Sequence, residues 1–316
     1  MSVVICQSRV HADTPAEAPL NRSEAEILAQ QHAELIAMRD AQLAWDTAAE
    51  FLRDGGARDE AAELFRDAAD QPTVTKVSED ALALAKMLDA MAEEDRLFQE
   101  PADLDALTDS QYVDYLVYKL RDLSEEAISL PGSISFLSGY NEPNKVVTNL
   151  RQLGKAAIPR LIEMLDDERP TRSLEYPRNG GHLVRYADVA LELIEAILAK
   201  HFSPQGAANS HDLALKLPKR KRVKSEIVYW WNAHSNESEL DWHKAAIVPS
   251  TRPDGVSSET RLSVTRMIEL DQNVALAYFE DLRRKDPDFV GIEGFIERAR
   301  TYDPDEAIVS STFLQE

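Results

Sequence analysis

One uninterrupted stretch of helix-favouring residues, from Ser23 to Arg53, constrains the fold more than any other feature of this sequence. It contains neither proline nor glycine, the two residues that most weaken a helix interior. Ser23 and Glu26 have the spacing of a capping box at its start, and Gly55 and Gly56 follow its end. The pattern therefore predicts a single long helix over this stretch.

The apolar residues of this helix can be read at heptad spacing, with glutamines in the remaining seam positions. Coiled-coil pairing is one interpretation, and a long first helix lying on a helical bundle is the other. The bundle is favoured because the glutamines interrupt the seam and the pattern stops after Leu52. The seam positions are Leu28, Gln31, Leu35, Met38, Gln42, Trp45, Ala49 and Leu52.

Most of the remaining chain also carries helical signals. Thr108 and Gln111 form a second capping box, and apolar residues recur every three or four positions from Ala187 to Leu198. No alternating run is long enough to predict a strand. We therefore expect an all-α protein, either a helical bundle or an α-solenoid. Helices are expected over 59–69, 78–98, from Thr108, up to Gly154, from Pro159, over 183–201, and near 222–233, 259–270, 272–285 and 288–300.

Residues 129–144 interrupt the helical pattern with two prolines and two glycines. Such a segment predicts a functional loop or a domain junction. The expected organisation is a flexible N-terminus or signal remnant over 1–21, an N-terminal helical region over 22–128, and a second helical region over 129–316. The two helical regions can also form one continuous domain.

The charge balance limits the possible partners. The 316 residues include 35 Lys and Arg against 56 Asp and Glu, which gives a formal net charge of −21. A field of this sign repels phosphate backbones and anionic membrane surfaces, so nucleic acid is disfavoured as a general partner. No segment approaches the roughly 18 apolar residues of a spanning helix, so we expect no membrane span.

The first residues leave two compartments open. The single cysteine, Cys6, excludes an internal disulfide and suits a reducing cytoplasm. The residues up to Ala12 resemble the end of a secretory signal, although the apolar stretch is shorter than the roughly 7 to 15 residues of a signal core. We expect a cytoplasmic protein as the sequence is written, and an exported one if residues 1–12 are the end of a truncated signal peptide.

Residues 147–202 contain successive helix–turn–helix signals. A helix ends at Gly154, which permits a left-handed turn, and the next begins near Pro159. Ala187 and Ala190 on the third helix would let neighbouring helices approach closely. The segment resembles HEAT-like helical repeats of the kind found in bacterial proteins of unassigned function. The resemblance implies protein binding rather than catalysis, and it names no ligand.

An insertion over 168–182 replaces the tight turn of such repeats and is the first candidate binding site. Long polar loops on rigid scaffolds often carry binding residues, and simple tolerance of a surface insertion is the equal alternative. Arg172 and Arg185 could clamp a carboxylate or phosphate, or could pair with Glu175 or Asp188. The candidate binding residues are Arg169, Arg172, Tyr176, Arg178, His182 and Arg185.

The basic segment 216–224 is the second candidate, with six positive residues and no negative one. It could bind an anionic ligand, including nucleic acid. The favoured interpretation is that it docks on the chain's own acidic surface between Glu79 and Asp109. The candidate anion-binding residues are Lys219, Arg220, Lys221 and Arg222.

Motifs for catalysis, metal binding and cofactor binding are absent from the sequence, so we expect no cofactor and no metal site. The aromatic group of Tyr229, Trp230, Trp231 and Trp242 is interpreted as core rather than as a stacking platform. A hydrolase using Asp166 and Asp167 rests only on the abundance of acids. The leading hypothesis is a non-enzymatic scaffold that binds a protein partner through a helical surface and the 168–182 loop. The sequence fixes neither that partner nor the oligomeric state.

Overall fold

The computed structural model describes residues 22–70, 76–124, 144–175, 182–202, 217–248 and 255–303. Helices account for most of these residues, as the sequence predicts. Strands β1 (Pro170–Glu175) and β2 (His182–Arg185) lie between α6 and α7, and 3₁₀ turns at Leu120–Asp122 and Gly154–Ala156 follow α4 and α5. The helices are α1 (Arg22–Arg53), α2 (Arg58–Ala69), α3 (Lys76–Leu97), α4 (Asp109–Lys119), α5 (Lys145–Leu153), α6 (Ile158–Met164), α7 (Tyr186–Leu198), α8 (Leu217–His234), α9 (Glu239–Ala246), α10 (Ser258–Leu270), α11 (Gln272–Lys285) and α12 (Ile292–Thr301).

Side-chain caps set the first residue of several helices. The backbone N–H of Gln111 donates to Thr108 Oγ1 at 3.4 Å, and the N–H of Thr108 donates to Gln111 Oε1 at 2.9 Å. The predicted capping box of α4 is therefore confirmed. The same kind of cap, a short polar side chain accepting from a first-turn N–H, is made by Asn144, Ser238, Ser257 and Asp271.

An antiparallel hairpin of β1 and β2 forms where the sequence carries no strand signal. Leu174 pairs with Leu183, and Pro170 pairs with Arg185, with a bulge of β1 between the two pairs. A bulge inserts unpaired residues into one strand and bends it. The predicted surface loop is therefore built, in its described part, from two short strands.

The side chain of Thr171 stabilises this bulge. Its hydroxyl donates to the carbonyl oxygen of Val184 at 2.9 Å and accepts from the N–H of Ser173 at 3.1 Å. The hydroxyl of Ser173 donates in turn to the carbonyl oxygen of Leu123 at 3.1 Å. Both hydroxyl-bearing side chains are buried, so polar groups in the interior replace part of the regular strand pairing.

Apolar side chains form three clusters along the described chain. The first packs α1, α2 and α3 together with Leu174 and Leu183 of the hairpin. The second involves α4 to α9 and includes Val184. The third joins α10, α11 and α12 with Ile247, which follows α9. Because the hairpin supplies residues to the first and second clusters, it lies at their boundary.

Several boundaries differ from the sequence-based expectation. The helix expected from Leu183 begins at Tyr186, because the preceding residues belong to β2. The helix expected near 222 begins at Leu217 and therefore includes most of the basic segment. The short α9 carries no strong sequence signal and was not predicted. The expected N-terminal remnant over 1–21 lies outside the described residues, as does the junction over 129–144 except for Asn144.

Candidate protein-binding surface

The N-terminal part of α1 presents apolar side chains to solvent. From residue 26 to residue 40, which we call the α1 arm, every side chain is exposed except that of Ala37, which is partly buried. Leu28 and Leu35 are 53% and 59% exposed, so no described part of the chain covers them. The large exposed apolar residues of the arm are Ile27, Leu28, Leu35, Ile36 and Met38.

The C-terminal part of the same helix is packed. Trp45, Ala49 and Leu52 are buried in the first cluster, and Trp45 meets Phe65 edge to face with ring centroids 5.7 Å apart. These three residues continue the heptad seam that begins at Leu28. One face of α1 is therefore core at one end and solvent-exposed at the other. Exposed apolar side chains that recur on one helical face are typical of a helix-binding surface.

The charged groups of the α1 arm make only local, exposed contacts. Glu34 Oε1 accepts a hydrogen bond from Gln30 Nε2 at 3.0 Å. Arg39 Nη2 lies 3.1 Å from Asp40 Oδ1, and the two side chains are 76% and 48% exposed. Exposed pairs of this kind contribute little to stability. Glu34 and Arg39 can therefore exchange these contacts for contacts with a partner at small cost.

The side chain of Arg172, a predicted binding residue, makes its contacts within the chain. Its Nη1 donates to the carbonyl oxygens of Leu52 and Gly56 at 2.6 and 2.8 Å, and its Nε lies 3.4 Å from Asp122 Oδ1. Burial lowers the pKa of this guanidinium, and the neighbouring charge of Arg58 lowers it further, while Asp122 opposes both effects. The side chain ties the hairpin to the end of α1.

Arg169 and Arg185, two further predicted binding residues, also have partners within the chain. Arg169 donates to Asp167 at 2.7 Å and stacks over the ring of Tyr186 at 4.7 Å. Arg185 donates to Asp188 at 2.9 Å, which is the internal pairing that the sequence left open, and to Glu168 at 2.9 Å. Tyr176 and Arg178 lie outside the described residues. His182 begins β2, and only its backbone position is described.

An ionic network with two buried arginines joins α2 and α3 to the 3₁₀ turn that follows α4. Arg121, only 2% exposed, donates to Asp95 and to Glu94 Oε2, the latter at 2.6 Å. Arg58 donates to the other oxygen of Asp95 at 2.5 Å and to Asp122 at 2.8 Å. Burial alone would lower the pKa of Arg121, but the hydrogen bonds to Glu94 and Asp95 outweigh it and raise that pKa. The arginine is therefore charged in the interior.

Two tyrosines complete this network. Tyr118 donates to Asp95 at 3.0 Å, and the guanidinium carbon of Arg121 lies 3.6 Å from the Tyr118 ring centroid. Burial and the hydrogen bond to Asp95 raise the pKa of Tyr118 to about 12, and burial raises the pKa of Tyr186 to about 12. Burial also pushes the pKa of Asp95 upward, but Arg121 and Arg58 hold it below its ordinary value. Sequence reasoning missed this network because its members lie far apart along the chain.

The basic segment contacts acids other than those expected. Arg220 pairs with Glu168, and Lys224 pairs with Asp166. The predicted contact with the acidic surface between Glu79 and Asp109 is therefore wrong for these two residues. Helix α8 packs beside the end of α6 instead. Lys221 and Arg222 are exposed, and Arg222 pairs with Glu226 one turn along at 2.9 Å. The side chain of Lys219 lies outside the described part.

A second buried ionic cluster joins α5, α9 and α10. Arg266 donates to Glu239 at 2.8 Å and to the carbonyl oxygen of Arg151 at 2.9 Å. The fully buried His243 ring places Nε2 at 3.8 Å from Glu239. Burial would raise the pKa of Glu239, but His243, Arg266 and the N–H of Lys155 lower it. This cluster fixes the second and third apolar clusters against each other.

The remaining candidates divide between core and surface. Trp242 is buried and meets Trp230 and Trp231 edge to face, as the core interpretation predicts. Tyr229 differs, because it is 79% exposed. The proposed hydrolytic pair has structural partners, since Asp166 contacts Lys224 and Asp167 contacts Arg169.

Within the described ranges, no group of three or more His, Cys, Asp or Glu residues is arranged to hold a metal ion. Among the same residues, no helix is long and apolar enough to cross a membrane. Comparison with known proteins found no matching family model, no similar curated protein and no similar solved structure. The exposed α1 arm is therefore the basis for inferring a function.

Proposed function

We propose that this chain is a non-enzymatic protein-binding scaffold whose α1 arm binds a helix of a partner. The observation that carries the proposal is the exposed apolar face formed by Leu28, Leu35 and Met38. A helix that buries such a face gains roughly 25 cal/mol for each Å² of apolar surface removed from water. A groove or a second helix supplies that burial through anchors three, four and seven residues apart.

The packed half of α1 supports this role, because it helps the arm to form a helix without a partner. Isolated helices shorter than about 12 to 15 residues are marginal in water, because nucleation is costly. The packed half of α1, held by Trp45 and Leu52, supplies the nucleus, so the arm is presented as a helix before a partner arrives. Binding then avoids most of the cost of ordering the backbone.

The other regions contribute rigidity in this proposal. Helix pairs in the HEAT-like segment 147–202 form the scaffold, and the hairpin holds the end of α1 through Arg172. The arginines of the 168–182 loop that have internal partners act as ties between elements. The binding role therefore moves from that loop to the α1 arm.

The test is affinity capture from a lysate of the source organism with the full chain and two matched variants. Leu35→Glu/Met38→Glu adds two carboxylates to the apolar face, whereas Gln30→Glu/Ala33→Glu adds two to the opposite face of the same exposed stretch. We expect the first variant to lose the captured proteins and the second to retain them. Capture of the same proteins by both variants would overturn the role of the arm.

A further inference from the structure

We infer that the partner of the α1 arm is the α1 arm of a second copy of this chain, aligned in parallel as a short two-stranded coiled coil. This inference rests on the proposed function and deepens it by naming the partner. It starts from the observation that one part of the heptad seam of α1 is buried within the chain and the other part is exposed to solvent. Trp45 and Leu52 bury their seam positions within the chain, while Leu28, Leu35 and Met38 carry the same seam into solvent.

The order of residues in the exposed seam suits self-pairing. With Leu28 and Leu35 at position a of the heptad, Gln31 and Met38 occupy position d. In a parallel pair each layer then contains the same residue from both copies, so the two leucine layers are matched in size. A polar layer within an apolar seam favours one register, because within the α1 arm only the aligned register brings the two copies of Gln31 together. Gln31 supplies such a layer.

Charge complementarity selects the parallel direction. Glu34 occupies position g and Arg39 occupies position e of the next heptad. In a parallel coiled coil a residue at g faces the residue five positions later, at e, on the other helix. Glu34 of each copy therefore meets Arg39 of the other, and two opposite-charge pairs flank the seam. An antiparallel pair would bring g against g and would lose both contacts.

The two-fold arrangement closes on itself, because each copy offers the same surface and no further site remains on the seam. The contact spans the described arm from residue 26 to residue 40 and is small for a protein interface, so we expect a weak dimer. Its population should rise from low micromolar to near-millimolar chain concentration.

Sedimentation equilibrium of the purified full chain tests the inference. We expect concentration-dependent dimers for the natural sequence and for the control Gln30→Glu/Ala33→Glu, and monomers for Leu35→Glu/Met38→Glu. Circular dichroism of each variant at low concentration shows that the helices are retained. A chain that stays monomeric throughout this range would overturn the inference. The two experiments separate the inference from the proposed function. Capture of a different protein through the arm, by a purified chain that itself stays monomeric, would overturn this inference and leave the proposed function standing, whereas capture that Leu35→Glu/Met38→Glu does not change would overturn the proposed function.

Charge exchange tests the parallel direction. Glu34→Arg alone and Arg39→Glu alone each place like charges opposite one another, so both variants should dimerise at least several-fold more weakly than the natural chain. Mixing the two variants should restore a heterodimer, because the arginine introduced at position 34 meets the glutamate introduced at position 39. The double exchange within one chain should restore the homodimer. Unchanged dimerisation of both single variants, or no recovery on mixing, would overturn the parallel pairing.

Discussion

Arg172 of the hairpin donates a hydrogen bond from Nη1 to the backbone carbonyl oxygen of Leu52, at 2.6 Å, near the end of α1. The last carbonyl groups of a helix have no partner within the helix and carry partial negative charge. A cation beside them supplies both a donor and a favourable charge. The hairpin therefore fixes the packed end of the helix whose other end is exposed.

Arg172→Met keeps the apolar stem of the side chain and removes the donors to Leu52 and Gly56. The Gly56 carbonyl then loses the Arg172 donor, and the Leu52 carbonyl keeps only the backbone N–H of Gly55, so we expect the free energy of unfolding to fall by about 1 to 3 kcal/mol. Urea denaturation at low micromolar concentration measures the change. Arg39→Met, on the exposed arm, is the control and should change it by less than about 0.5 kcal/mol. Equal effects of the two variants would contradict the tie.

Gly154→Ala should destabilise the chain by about 1 to 3 kcal/mol. Gly154 has φ +54°, and an added methyl group would overlap Glu239 Oε2 and come 2.9 Å from Arg266 Nη2. Gly294→Ala is the matched control, because Gly294 lies within α12 with open space around it. That change should stabilise by about 0.5 to 1 kcal/mol. Thermal unfolding of both variants gives the sign, and equal signs would be inconsistent with the described geometry.

Asp95→Asn tests the buried network. Removing this charge leaves the positive charges of Arg121 and Arg58 without full compensation, so we expect the free energy of unfolding to fall by about 2 to 3 kcal/mol at pH 7. The expected decrease is smaller than for a fully buried pair, because the Asp95 side chain is 31% exposed. The folded-state pKa of Asp95 is lowered. Its contribution is therefore present above the unfolded pKa of about 4 and is lost as pH falls through the lower folded value.

Denaturation curves between neutral and acidic pH measure this contribution. The difference between the natural chain and Asp95→Asn should shrink once pH falls below about 4. A difference that stays constant down to the acid transition would mean that the carboxylate charge is not what stabilises the network.

Alkaline titration followed by phenolate absorbance tests the tyrosines of the network. Their pKa values are raised, to about 12 for Tyr118 and Tyr186. A raised pKa means that the folded chain holds the proton more tightly, so this stability is full below the unfolded value of about 10 and is lost between about 10 and 12. Tyr118→Phe should remove one late-titrating group, and Tyr186→Phe should remove another. A late phase of unchanged amplitude in both variants would contradict these environments.

The helices were largely predictable because their ends carry local chemistry. The Thr108 capping box and the glycine after α5 act within a few residues, so the sequence reveals them directly. The hairpin was not predictable in the same way. Its buried strand residues include Thr171 and Ser173, whose hydroxyl groups satisfy distant carbonyl groups, so no apolar alternation marks the strand.

For the candidate site, too, the sequence predicts local patterns but not the contacts between residues that lie far apart along the chain. The heptad seam of α1 was visible, but which half of it lies in the core depends on packing against α2 and the hairpin. The arginines of the 168–182 loop were recognised as unusual. The partners of Arg172 at Leu52, Gly56 and Asp122 lie 50 to 120 residues away, so the sequence could not reveal that this side chain joins the hairpin to α1.

Adjacent residues of β2 enter different apolar clusters, because successive side chains of a strand point to opposite faces. Leu183 belongs to the cluster of α1 to α3, and Val184 belongs to the cluster of α4 to α9. Pulling this strand away from either cluster removes it from the other as well. The two clusters should therefore melt as one cooperative unit, which calorimetry would record as a single heat-absorption peak in which the van't Hoff enthalpy equals the calorimetric one.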